Sequence, residues 1–113
     1  MLVQYTERKT VDTLSISQQV LDAIDQLKPG DSLEAKVTRL AESELRRCLA
    51  RYQLTDRQFQ AKYGMSLAEF EARRIVEERG YAFEVESDHQ DWDLAIDGIR
   101  STERQLAALL GQS

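Results

Sequence analysis

Residues 33–52 read LEAKVTRLAESELRRCLARY. Leu33, Val37, Leu40, Ala41, Leu45, Cys48, Leu49 and Tyr52 recur at steps of three and four, which lays one apolar stripe along a helix. Glu34, Lys36, Arg39, Glu42, Arg46, Arg47 and Arg51 occupy the other face. A helix of about 20 residues spans roughly 30 Å, which is long for so small a chain, and its stripe needs a partner. The expectation is that the same helix from a second copy of the chain covers it.

Towards the N-terminus, Lys28-Pro29-Gly30-Asp31 separates this helix from a shorter one, because proline cannot continue a helix and glycine permits the turn. Ser32 or Asp31 is the expected cap of the long helix. The shorter helix carries Val20, Leu21, Ile24 and Leu27, with Ser17 as its cap. Before it, Val11 to Ser17 alternates, with Leu14 and Ile16 on one side and Val11, Thr13 and Ser15 on the other. This predicts a short strand, which must pair with something to satisfy its backbone.

Towards the C-terminus, Leu54-Thr55-Asp56 is expected to interrupt the long helix, with Thr55 capping a new piece through Phe59 and Tyr63 that Gly64 ends. Ser66-Leu67-Ala68-Glu69 has the form of a capping box and opens a helix to about Arg79, stopped by Gly80. Tyr81 to Glu86 alternates again and predicts a short extended segment. Ser87 or Asp88 then starts a last helix with Trp92, Ile96, Ile99, Leu106, Leu109 and Leu110, loosened at Gly98.

The net charge of −5 is unevenly placed. Residues 1–55 hold eight basic and eight acidic side chains, whereas residues 56–113 hold seven and twelve. An acidic chain is a poor non-specific polyanion binder, and its acidic end suits a basic protein partner. Cys48 is the only cysteine, so no internal disulfide forms, and its place on the apolar stripe makes it a small core residue. The chain shows neither a basic-then-apolar leader nor a run of about 18 apolar residues, and a cytoplasmic protein is expected.

Strand, short helix, tight turn and long amphipathic helix is the order of a ribbon-helix-helix module. Residues 11–52 resemble that family of dimeric DNA-binding proteins, through Thr13-Leu14-Ser15-Ile16-Ser17, Val20-Leu21-Asp22-Ala23-Ile24 and Gly30-Asp31-Ser32 ahead of the long helix. The resemblance implies a mainly α fold with a short N-terminal strand. Two strands would pair across a homodimer and enter the major groove of operator DNA. It places Val11, Thr13 and Ser15 at the base-facing positions and phosphate near Gly30 and Ser32, with Arg8, Lys9 and Lys28 adding charge. Asp12 and Asp31 lie where phosphate is disfavoured. Leu27-Lys28-Pro29-Gly30-Asp31 also looks like the turn of swapped-hairpin transcription factors, but Glu34-Ala35-Lys36 has poor strand propensity.

Between Glu84 and Asp97 lie six carboxylates, Glu84, Glu86, Asp88, Asp91, Asp93 and Asp97, uninterrupted by Lys or Arg. Tyr81, Phe83 and Trp92 sit among or beside them. Two readings stand: an acidic aromatic strip for a basic partner, or a mini-core under a solvated acidic face. Lys62-Tyr63-Gly64-Met65-Ser66-Leu67-Ala68-Glu69-Phe70-Glu71, with Tyr81 to Asp88 and Asp91-Trp92-Asp93, resembles the C-terminal half of small prokaryotic antitoxins. The resemblance implies residues 1–53 as a dimerisation and promoter-binding module and residues 54–113 as an extension that blocks a cognate toxin. Its contacts would be Tyr81, Phe83, Glu84, Val85, Glu86, Asp88, Trp92 and Ile96. A helical dimerisation or adaptor protein without DNA binding is the alternative. Asp88, His89, Asp91 and Asp93 invite a metal reading, but one histidine with carboxylates pointing around a helix start makes a poor site. With no glycine-rich phosphate loop and no nucleophile motif, neither an enzyme nor a cofactor is expected.

Overall fold

A computed structural model of the chain describes residues 16–27 and 30–111. The chain divides into two compact units, Met1–Leu40 and Ala41–Ser113. The helices are α1 (Gln18–Leu27), α2 (Leu33–Tyr63, which crosses the unit boundary), α3 (Leu67–Ala72), α4 (Ile75–Glu78) and α5 (Phe83–Leu109).

The first unit is set up by two serine caps. The Val20 amide donates to Ser17 Oγ at 3.3 Å and the Ala35 amide to Ser32 Oγ at 3.1 Å, each satisfying an otherwise orphaned donor. Lys36 is buried, and its ammonium donates to both the carbonyl oxygen of Asp25 at 2.9 Å and its carboxylate at 2.8 Å. The cation thus meets the carbonyl end of α1, where the helix dipole favours it.

The described residues contain no strand, which corrects the ribbon-helix-helix assignment. Ile16 and Ser17, the end of the expected strand, are irregular chain. The Ser17 hydroxyl and carbonyl are committed to the first turn of α1, with the Leu21 amide on the carbonyl at 3.1 Å, so they are not free for a strand ladder. Val11–Ser15 and the Lys28-Pro29 turn lie outside the described residues.

Three further expectations need correction. The long helix does not break at Thr55. No glycine or proline intervenes, and Thr55 Oγ1 donates to the Arg51 carbonyl at 3.1 Å, a bond one turn back that keeps the residue helical. The helix after Ser66, whose hydroxyl accepts from the Glu69 amide, does not run unbroken to Arg79. Arg74 adopts left-handed backbone at φ 53°. On a continuous helix Phe70 and Ile75 would point about 140° apart, and the break lets both bury in one core.

The third is Tyr81–Glu86, which is not extended. Gly80 (φ 69°) and Tyr81 (φ 58°) close a turn in which the Tyr81 amide donates to the Val76 carbonyl at 2.9 Å and the Gly80 amide to that of Glu77 at 3.0 Å, the Schellman pattern. Helix α5 follows at once. Its buried residues, Val85, Trp92, Ala95, Thr102 and Leu106, are spaced for one helical face. Gly98 does not loosen this helix. A Cβ there would lie 2.6 Å from the Tyr52 ring, so glycine allows α5 to approach α2 closely.

The second unit's core gathers Leu67, Phe70, Ile75, Val85 and Trp92, with Phe59, Tyr63, Met65, Val76 and Ile96 packed against it. Trp92 is fully buried. Its ring stacks on Phe59 at 5.5 Å and Tyr63 at 5.9 Å, and its indole N–H donates to Asp56 Oδ1 at 2.8 Å.

Candidate functional site

The residues expected to hold a partner separate into two groups. Val85 and Trp92 are buried and Ile96 is half-buried against the same core. Tyr81 and Phe83 stand out at the start of α5, 59% and 86% exposed. Glu84 and Glu86, in the first turn, are exposed beside them and complement the positive end of the helix dipole. The Gly80–Tyr81 turn fixes the backbone that presents both rings, so this corner is built rather than loose.

Asp88 anchors the corner from beneath. Lys62 donates to Asp88 at 2.6 Å and to Glu84 at 2.5 Å, and the Tyr63 hydroxyl donates to Asp88 at 2.6 Å. Burial alone would raise the Asp88 pKa, but the bonds from Lys62 and Tyr63 hold it below its ordinary value. Burial first, then the bond to Asp88, pushes the Tyr63 hydroxyl up to about 12. The bonds to Asp88 and Glu84 keep Lys62 charged above its ordinary range. Nothing local in the sequence signals this link, because Lys62 and Asp88 belong to different helices. The Trp92–Asp56 bond escaped the sequence for the same reason.

The other acids, Asp91, Asp93 and Asp97, are exposed along α5. His89 Nε2 lies 2.8 Å from Glu71 Oε2, and its ring stacks on Phe70 at 5.6 Å. Asp88 and His89 are thus engaged with different partners, away from Asp91 and Asp93. Among the described residues no group of three His, Cys, Asp or Glu side chains is placed to hold a metal ion. Cys48 is half-buried, with an Arg51 guanidinium nitrogen 3.4 Å from its sulfur.

Of the residues expected at DNA, Arg8, Lys9, Val11, Thr13, Ser15 and Lys28 lie outside the described residues. Gly30 is exposed at φ 96°, and Ser32 spends its hydroxyl capping α2. Asp31 accepts from Arg39 at 2.6 Å. The start of α2 therefore already carries a hydroxyl cap and a paired carboxylate. No helix among the described residues is long and apolar enough to cross a membrane. Comparison of the chain with protein-family models, curated proteins and solved structures found no match.

Proposed function

We propose that the chain neutralises a basic protein toxin, as an antitoxin does, by seating it on the Tyr81–Glu86 corner. The exposure of Phe83, at 86%, carries this reading. Burying such a side chain is worth about 1.5–3 kcal/mol, and aromatic side chains anchor interfaces. Glu86, one helical turn on and without an ion-pair partner among the described residues, favours a partner of opposite charge, whereas Glu84 is already paired with Lys62. The role is one of binding, without catalysis or cofactor, in the cytoplasm, where a lone Cys48 stays reduced. The test is co-expression with the protein encoded next door. A co-eluting complex and rescue of growth are expected, both lost on combining Tyr81→Ala with Phe83→Ala while the helical content holds. No complex, or one indifferent to the two changes, removes the reading.

A second reading concerns the first unit, where Leu27, Leu33, Val37 and Leu40 are exposed. We infer that this apolar surface self-associates and makes the protein a helical homodimer, an adaptor if the toxin test fails. Sedimentation showing a monomer at high concentration would remove it. Operator binding is implied only by the antitoxin resemblance of the C-terminal half, since the described residues contain no ribbon to carry it. A gel shift on the protein's own promoter at low salt tests it, and the absence of a shift ends it.

A further inference from the structure

We infer that the cleft beside the Tyr81–Phe83 corner receives one arginine side chain of the protein partner; this rests on the reading of the corner as a partner surface. The cleft measures about 230 Å³ and has an apolar floor of Phe70, Ile75 and Val76. That is below the roughly 300–1,000 Å³ typical of small-molecule pockets and suits a single long side chain.

Its rim sets the charge of the occupant. Three carboxylates, Glu71, Glu77 and Glu86, face one guanidinium, Arg74, and one imidazole, His89. Arg74 Nε donates to Glu77 at 2.6 Å and His89 pairs with Glu71. The Glu86 side chain has no hydrogen-bond or ion-pair partner among the described residues. One carboxylate is therefore uncommitted at the mouth of an apolar cleft, next to the amide of Gln90.

An arginine matches on each count. Its stem covers the floor and its fork donates to the Glu86 carboxylate and the Gln90 amide oxygen. The guanidinium is also more weakly hydrated than an ammonium, so it loses less on entry. The cleft and the aromatic corner share one piece of backbone. Glu86 lies one helical turn from Phe83, and the carbonyl of Val76, a floor residue on α4, accepts the Tyr81 amide.

The test is a titration of the full-length ¹⁵N-labelled chain with an acetyl-Gly-Arg-Gly amide, beside its citrulline and lysine counterparts. Saturable shifts at the Val76, Glu86 and Gln90 amides and the His89 ring are expected with arginine alone. Glu86→Gln should weaken binding about two- to fivefold. An equal response to citrulline, shifts spread over Asp91, Asp93 and Asp97, or an indifferent Glu86→Gln variant overturns the inference. Lysine bound as tightly as arginine overturns the assignment to arginine. The two readings fail separately: arginine bound without any toxin complex sinks the proposed function. A toxin complex that is lost with Phe83→Ala but is indifferent to Glu86→Arg sinks the cleft.

Discussion

The two units solve the burial problem differently. In the second, one aromatic cluster closes on itself, with Trp92 fully buried and Phe70 nearly so. In the first, the buried described residues are Ile24 and the ion-paired Lys36, while Ile16, Val20, Leu27, Leu33, Val37 and Leu40 remain exposed. Chain length explains much of this, since a segment of about 40 residues is at the lower limit for burying a core alone. The difference teaches that the stability of the second unit is a property of its own side chains, whereas the first unit's apolar side chains are available for association.

The most forceful way to break this contrast is Trp92→Ala. Loss of a buried tryptophan costs about 3–5 kcal/mol, and urea unfolding followed by circular dichroism should show that loss. Replacing the exposed Leu33 and Val37 by serine should change stability by about 0.5 kcal/mol or less each and act on self-association, read by sedimentation.

Gly98→Leu comes next. Overpacking against Tyr52 should cost about 1–3 kcal/mol, seen as a lower melting temperature and partly restored by Tyr52→Ala. Gly30 lies in the first unit with nothing within 4 Å of an added Cβ. A substitution there meets only the backbone cost of its φ of 96°, about 1–2 kcal/mol.

Within the second unit, the smallest effect is pH dependence. Asp88 is held below its ordinary 3.8, so its contribution is present above that pH and lost as pH falls through the lowered value. Tyr63 is raised from 10.0 to about 12, so its contribution is lost as pH rises through that window. Asp88→Asn should flatten the acid limb of a stability–pH curve and cost roughly 1 kcal/mol at neutral pH.

The signals that the sequence carries plainly are local ones. Ser17, Ser32 and Ser66 announced helix starts because a cap needs only its own turn, and Gly80 announced a stop for the same reason. Thr55 misled because its hydroxyl caps a helix or bonds back within one, and sequence alone does not separate the two. Tyr81, Phe83 and Val85 misled because three alternating positions leave Phe83 and Val85 on opposed sides of a helix, and only the step of seven from Val85 to Trp92 marks the helical face. The candidate site was half legible. The aromatic and acidic residue types stood out, but the division into a buried Trp92 and an exposed Phe83 is tertiary, as is the Lys62–Asp88 tie beneath them.

Trp92 is also the chain's one tryptophan. Shielded from water and bonded to Asp56, it makes the protein carry its own optical gauge. Its ultraviolet emission reports on the aromatic core alone and is blind to melting confined to residues before Leu40. Emission set beside a helix-averaged signal therefore resolves the two halves of the molecule without any label.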